Sequence, residues 1–318
     1  MLLEPIYEGD FLPHSYGFRP GRSAHDALYA LRTGIMERDQ RWVIDADVSN
    51  YFGSISHTHL RAFLDLRIKD GVVRRMIDKW LKAGVLEDGV LRRSESGTPQ
   101  GGVISPMLSN IFLHHVLDAW FEREAKPRLR GACQLVRFAD DFVMAFEAAR
   151  SGRRMLDVLG KRLGRYGLTL HETKTRYVDF RPKRPRSHDP DATFDFLGFT
   201  HVWGRSRRGR SVVRQITAKG RFTRALRAVH EWCKANRHRP LDEQQRHLAR
   251  VIRGHCGYYG LTGNSKRLSG FHYWVIRHWR KALARRSRKG RVTWDRMKDI
   301  LNRYPLPPAT VVHSIYAA

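Results

Sequence analysis

The sequence predicts a chain in two parts, a mixed α/β region near residues 1–200 and a mainly α-helical, strongly basic region near residues 205–318. Short apolar runs typical of strands alternate with segments of helical period in the first part, whereas helical spacing dominates the second. The charge is also divided unevenly, because residues 1–180 carry a formal net charge of +4 and residues 181–318 carry +24. The change falls near a proline-broken basic segment that begins at Arg181.

Hydrophobic spacing gives the elements of the first part. Trp42–Ile44 is an apolar run that leads into Asp45 and Asp47, which fits a short strand. Leu135–Met144 consists of two apolar runs that meet at a polar pair, the pattern of a β-hairpin. Helical spacing is found in three further segments, 24–38, 105–119 and 155–166.

The second part has the composition of a nucleic-acid-binding region. Helical spacing is found at 219–236, 242–253 and 271–283, and basic residues are interleaved with Trp, Tyr and Phe. A net charge of +24 in this part favours a polyanionic partner, and a membrane surface is the weaker alternative. The basic residues proposed to contact nucleic acid lie after the last of these segments: Arg285, Arg286, Arg288 and Lys289.

Two adjacent carboxylates, Asp140 and Asp141, lie at the tip of the predicted hairpin between Phe138 and Phe142. Their charges repel each other at an apolar tip, where an ordinary turn favours Asn-Gly or Asp-Gly. If the strand that leads into Asp47 is a neighbour, the three carboxylates form an all-oxygen site suited to Mg²⁺, and two such ions would serve nucleotidyl transfer. Taken alone, an Asp-Asp pair is more often a solvated turn than a catalytic site.

Two glycine- and proline-containing loops each precede a predicted helix. The loop at 97–106 brings backbone groups close to a ligand and leaves helix N–H groups free, although a surface turn has the same composition. The loop at 15–22 places Arg19 and Arg22 before a helix, which fits either a triphosphate clamp or a capped helix entrance.

Six motifs occur along the chain in a fixed order. They are Tyr16–Arg22 (YGFRPGR), Asp47–Phe52 (DVSNYF), Thr98–Asn110 (TPQGGVISPMLSN), Phe138–Asp141 (FADD), Gly167–Thr175 (GLTLHETKT) and Phe194–Phe199 (FDFLGF). With them, and with Gly254–Gly260 (GHCGYYG) in the basic part, the chain resembles bacterial group II intron-encoded reverse transcriptases/maturases over essentially its whole length.

The resemblance implies an α/β right-hand polymerase palm with partial fingers at 1–200, followed by a mainly α-helical basic thumb/maturase domain at 205–318. It also implies an RNA-directed DNA polymerase with two Mg²⁺ ions and with maturase activity in intron RNA splicing. The partners implied are group II intron RNA, template RNA, a DNA primer or target and dNTP. Catalysis and metal binding are implied for a set of four residues: Asp47, Asp140, Asp141 and, through its backbone carbonyl, Val48.

Substrate contacts are carried over in the same way. Arg19 resembles a triphosphate contact, and Gln100 a contact to the incoming nucleotide. Phe52 resembles the residue under the incoming sugar, whose bulk excludes a 2′-hydroxyl. Lys174 resembles a basic residue near the active site, and Phe196–Phe199 the segment that grips the primer strand.

The chain departs from the family pattern in two places. Gly53 stands where the family usually has Asp, and Met1 falls within the interior of the family's N-terminal pattern. We therefore expect a chain that lacks the first fingers blocks, and its C-terminus shows no Cys/His-rich endonuclease domain. Two alternatives stay open, a non-catalytic RNA-binding splicing factor and a CRISPR-associated reverse transcriptase.

The cysteines and the hydropathy predict a bacterial cytoplasmic location. The three cysteines form no CxxC pair, which suits a reducing compartment. No run approaches the roughly 18 apolar residues that cross a bilayer, so no membrane partner is expected.

Overall fold

The computed structural model describes residues 3–82, 85–87, 90–92, 104–182, 192–206, 208–287 and 290–314. Two compact units divide the chain, Met1–Leu197 and Gly198–Ala318. Within the described residues, no helix has both the length and the apolar character that crossing a membrane requires.

The first unit is built around an antiparallel sheet. Its strands are β1 (Trp42–Ala46), β2 (Val85–Glu87), β3 (Val90–Arg92), β4 (Cys133–Phe138), β5 (Asp141–Phe146), β6 (Arg176–Asp179) and β7 (Phe194–Phe196). Four of them form the sheet in the order β4-β5-β1-β6, and β2 pairs with β3. The predicted strand and hairpin are thus confirmed as β1 and β4–β5, with a turn formed by Ala139 and Asp140.

Helices pack on both faces of this sheet, and all of them except the one at 24–37 border its main hydrophobic core. They are α1 (Leu3–Glu8), α2 (Ala24–Glu37), α3 (Tyr51–Ser54), α4 (His57–Asp65), α5 (Gly71–Lys82), α6 (Ser105–Leu113) and α7 (Ala149–Gly164). After α6 the chain continues through π-helical turns at His114–Asp118 and Phe121–Ala125. Ile44, Phe142 and Met144 are fully buried against these helices in one hydrophobic core, and each contributes roughly 1.5–3 kcal/mol by leaving water.

The second unit combines a hairpin with four helices. Its elements are β8 (Phe199–Arg205), β9 (Ser211–Thr217), α8 (Lys219–Ala235), α9 (Leu241–Tyr259), α10 (Ser265–Leu283) and α11 (Trp294–Arg303). The core of this unit surrounds Trp279, which is fully buried and donates from Nε1 to Gln244 Oε1 at 2.8 Å. The predicted helices are confirmed as α8, α9 and α10, whereas the β8–β9 hairpin was not predicted from the sequence.

A fully buried guanidinium holds the β4–β5 turn in place. Arg137 donates from Nε and Nη2 to the two carboxylate oxygens of Asp118, the first at 2.8 Å, and both residues are inaccessible to solvent. Its other donors reach Asn110 Oδ1 at 2.9 Å, the Ala139 carbonyl at 2.8 Å and Ser15 Oγ at 2.7 Å. All five N–H groups are therefore satisfied, which is the condition for burying a charge without a large penalty.

The same network stabilises a strained backbone. Ala139 has φ +57°, a left-handed conformation that costs a residue with a Cβ about 1 kcal/mol or more. Gly17 packs directly against it, since a Cβ at residue 17 would lie 2.3 Å from the Ala139 nitrogen. Asn110 donates to the Gly17 carbonyl at 2.7 Å, so the 15–22 loop and the turn are tied to one another and to α6.

We expect Asp118→Ala to destabilise the chain by about 3–5 kcal/mol, because it leaves the Arg137 charge buried and unpaired. The free energy of unfolding in urea measures the effect. The double variant Arg137→Met/Asp118→Leu, which removes both charges, should cost less than Asp118→Ala alone. A double variant at least as unstable as the single one would show that the hydrogen bonds of Arg137, and not the charge balance, dominate.

Candidate functional site

Three carboxylates lie near the ends of the two central strands, β1 and β5, on the sheet face opposite the main hydrophobic core. β1 and β5 pair so that Asp45 faces Val143 and Ala46 faces Phe142, and the next step of this register brings Asp47 opposite Asp141. Because side chains alternate along a strand, Asp45, Asp47 and Asp141 lie on the same face. Asp140 adjoins them in the turn.

The carboxylates perturb each other's protonation. Burial, and then the negative charge of Asp45 together with Asp140 and Asp47, raises the pKa of Asp141 to about 7, although a backbone hydrogen bond from Leu197 opposes the shift. Burial raises the pKa of Asp45 to about 6 against the effect of a neighbouring arginine, and burial and Asp47 raise the pKa of Asp140. The cluster therefore holds more negative charge than its surroundings accommodate at neutral pH.

Two cations from the 167–179 segment offset part of this charge. Lys174 Nζ lies 2.8 Å from Asp47 Oδ2, and Arg176 on β6 lies 3.3 Å from Asp45 Oδ2. The Asp47 carbonyl accepts a hydrogen bond from the His171 backbone at 2.8 Å. Val48 follows, with its side chain buried, in an antiparallel bridge to Leu170. The segment thus fixes the backbone of Asp47 while leaving its side chain about 42% exposed.

The chemistry of this donor set fits a divalent metal. Hard oxygen ligands with raised pKa values gain most from a cation, which removes their mutual repulsion. Among the residues that the structure describes, no three His, Cys, Asp or Glu side chains are already arranged to hold an ion. Metal binding therefore requires the side chains of Asp47, Asp140 and Asp141 to turn toward a common point on backbones that are already adjacent.

Arg19 is placed differently from what a triphosphate contact requires. Its guanidinium is buried and donates to Glu8, at 2.7 Å for the closest pair of atoms, and to the carbonyls of Leu12, Ser15 and Phe11. All its donors are thus engaged within the chain. A triphosphate contact would have to break these bonds, and the predicted contact of Arg19 with the triphosphate stays a prediction.

Phe52 lies in α3, five residues after Asp47. Its ring is partly buried against the core and meets Tyr51 edge-on, with ring centroids 5.2 Å apart. The adjoining Gly53 packs against Asn50, whose side chain lies about 2.5 Å from where a Cβ would stand. The predicted sugar contact of Phe52 stays a prediction, and Gln100 lies outside the described residues.

Of the four basic residues proposed to contact nucleic acid, the structure describes two, Arg285 and Arg286. Arg285 is exposed. Arg286 donates to the backbone carbonyls of Arg237 and Arg239, the second at 2.6 Å, and so closes the end of α8. Arg288 and Lys289 lie outside the described residues. Their contact with nucleic acid stays a prediction.

Sequence reasoning missed three residues of the site. Asp45 was noted only as part of a strand, although its alternation with Asp47 already places both on one face. Arg176, which pairs with Asp45, could have been found only from the strand order. Arg137 looked like an ordinary strand residue, because its partner Asp118 is 19 positions away.

Comparison with known proteins assigns each unit to a family model. Residues 2–201 match the model described as reverse transcriptase (RNA-dependent DNA polymerase). Residues 222–301 match the model described as the group II intron, maturase-specific domain. Both Asp47 and the Asp140–Asp141 pair fall inside the first match.

Individual relatives agree with these models. Protein YkfC from Escherichia coli is 34% identical over 239 residues, which cover 66% of this chain and 60% of that protein. Group II intron-encoded protein LtrA from Lactococcus lactis is 40% identical over 135 residues, 41% of this chain and 22% of LtrA. An uncharacterized 91 kDa protein in the cob intron of Schizosaccharomyces pombe is 28% identical over 343 residues, 87% of this chain and 41% of that protein. The chain spans less than two thirds of the length of each of these relatives.

We expect the stability of the metal-free chain to fall as pH rises from 5 to 8. The folded chain keeps a proton on Asp141 up to about pH 7, whereas an unfolded Asp releases it near pH 4. The free energy of unfolding therefore decreases as the pH rises through this window. Relative to the wild type, Asp141→Asn should gain on the order of 1–3 kcal/mol between pH 5 and 8, measured by urea unfolding in EDTA. Mg²⁺ added at pH 8 should stabilise the wild type more than the variant. Parallel pH profiles for the two proteins would contradict the proposed coupling.

Proposed function

We propose that this chain, which belongs to the reverse transcriptase family, is a group II intron RNA-directed DNA polymerase that also assists the splicing of its intron RNA. The polymerase would extend a DNA primer by transferring nucleotides from dNTP to the 3′-hydroxyl on an RNA template. One observation carries the proposal: the backbone of Asp47, directly after β1, lies beside that of Asp140 and Asp141, where the β4–β5 turn enters β5. The raised pKa values of Asp140 and Asp141 are typical of a site built for a cationic partner.

The cofactor proposed for this site is a pair of Mg²⁺ ions held by Asp47, Asp140, Asp141 and the Val48 carbonyl. When bound, they would supply the positive charge that activates the 3′-hydroxyl and stabilises the departing pyrophosphate. The chain's own part is to hold the ligands. Arg137 fixes the turn through the Ala139 carbonyl, and His171 fixes Asp47 through its backbone.

Lys174 is suited to act on the substrate side of the same site. Its side chain is about 61% exposed, and its ammonium group is paired with Asp47. Lys174 pairs with the Asp47 carboxylate, which is also a proposed metal ligand, so the ammonium group and Mg²⁺ would compete for the same oxygens. With Mg²⁺ held there, the ammonium group would be available to the dNTP, the substrate near which the resemblance places Lys174.

The RNA partner is supported by the second unit. The maturase-specific match at 222–301 lies within the part of the sequence that carries a net charge of +24. Such a density of Lys and Arg favours binding to phosphates in proportion to the counterions released. We therefore propose that template and intron RNA contact this unit, Arg285 and the basic residues that follow it included.

Asp140→Asn with Asp141→Asn should abolish primer extension on poly(rA)/oligo(dT), because the two substitutions remove carboxylates that would bind the Mg²⁺ ions. Equilibrium binding of RNA, which depends on the basic unit, should change little. Asp157→Asn with Asp299→Asn is the matched control, since both residues are exposed on helices and neither belongs to the carboxylate cluster. Extension near the wild-type rate in the first variant would remove the catalytic assignment. A wild-type chain that binds RNA without extending a primer would instead indicate a splicing factor.

Phe52→Ala should admit ribonucleotides by removing a steric clash with the 2′-hydroxyl. The ratio of rNTP to dNTP incorporation measures this selectivity, and we expect it to rise at least tenfold. Phe63→Ala is the matched control, because Phe63 is also partly buried against the same core. If the two variants discriminate equally well, Phe52 serves only as a core residue.

A further inference from the structure

A large cavity in the second unit lies between the tip of the β8–β9 hairpin and the beginning of α10. Its volume is about 740 Å³, within the range of pockets that enclose a ligand. Its lining includes five basic residues: Arg205, Arg208, Arg210, Arg214 and Lys266. None of the described residues around it is acidic or aromatic.

Local backbone geometry gathers the arginines at the hairpin tip. Ser206 donates through its backbone to the Arg210 carbonyl at 2.8 Å, and Gly209, at φ +74°, closes the turn with a bond to the Ser206 carbonyl at 3.0 Å. Arg205, Arg208 and Arg210 are exposed around this turn. Cations held this close together repel one another, so the arrangement favours an anion in the space between them.

The beginning of α10 adds a second source of positive potential. Asn264, which precedes the helix, does not cap it, because its side chain is engaged with Thr217 and with the Tyr259 carbonyl. A helix of 19 residues with no side-chain cap presents partial positive charge at its N-terminus. Ser265 and Lys266, the first residues of α10, line the cavity.

We propose that this cavity binds the phosphodiester backbone of RNA. The inference rests on the proposed function for its choice of RNA and adds a specific contact site to it. Cationic side chains and a helix N-terminus recognise phosphate, and the absence of aromatic residues among the described lining excludes base stacking as the main contact there. Binding at this cavity is therefore independent of base sequence. Arg214 has a separate role, since its guanidinium donates to the Arg205 carbonyl and supports the hairpin.

The test is the salt dependence of RNA binding by the full chain. In the variant Arg205→Gln/Arg208→Gln/Arg210→Gln/Lys266→Gln, the log–log slope for a 20-nucleotide single-stranded RNA should become shallower by about 2–3, at roughly 0.7 per lost phosphate contact. Affinity near 0.1 M salt should fall at least tenfold, equally for oligo(rA) and oligo(rU). The matched control is Arg224→Gln/Arg227→Gln/Arg250→Gln/Arg253→Gln, which removes four exposed charges of the same unit that precede Arg285 and do not line the cavity. We expect it to change affinity less than threefold.

Two further arms keep the test decisive. The variant Arg205→Lys/Arg208→Lys/Arg210→Lys retains the charge and should restore the wild-type slope, which a merely misfolded hairpin would not do. Equal losses in the Gln variant and its control would overturn the inference, as would a loss confined to a DNA oligonucleotide of the same length. Because these experiments measure binding alone, a wild-type chain that fails to extend a primer would overturn the polymerase proposal and leave this inference intact.

Discussion

The buried ion pair between Arg137 and Asp118 is the interaction on which the first unit depends. Burial favours the neutral form of Asp118, but the adjacent guanidinium more than compensates and holds the pKa of that carboxyl well below its usual range. The pair links the π-helical extension of α6 to β4. Through the remaining donors of Arg137 it also fixes the Ala139 carbonyl and Ser15. A single charge thereby sets the position of the turn that carries the catalytic candidates.

The carboxylate cluster, in contrast, has negative charges that are only partly neutralised by neighbouring cations. Arg137 is fully paired with Asp118, whereas the ion pairs of the carboxylate cluster among the described residues are those of Asp47 with Lys174 and of Asp45 with Arg176. The sheet keeps the carboxylates together because its other face is buried in the hydrophobic core, which prevents the strands from moving apart. Packing on one face thus keeps the carboxylates on the other face close together despite their mutual repulsion. A cation that binds between them would relieve that repulsion.

Much of the fold and the centre of the site could be predicted from the sequence, because both depend on local patterns. The strand before Asp47 and the Asp140–Asp141 hairpin follow from hydrophobic spacing. The β8–β9 hairpin escaped prediction because its buried positions include His201, Gln215 and Thr217, so no apolar alternation is visible.

The hydrogen-bond partners of Arg19 could not be predicted from the sequence for a different reason. Three of its partners are backbone carbonyls, and since every residue has one, the sequence does not show which of them an arginine will contact. A motif can show that an arginine belongs to a loop, but only the three-dimensional path of the chain shows which way it turns.

The division of charge along the chain has a consequence for biosynthesis. Every strand of the four-stranded sheet, both cations that face its carboxylates and the Arg137 network lie before residue 180. Chains fold from the N-terminus as they leave the ribosome. The acidic site can therefore be assembled while most of the arginine-rich part is still untranslated, before that part emerges and competes for the same carboxylates.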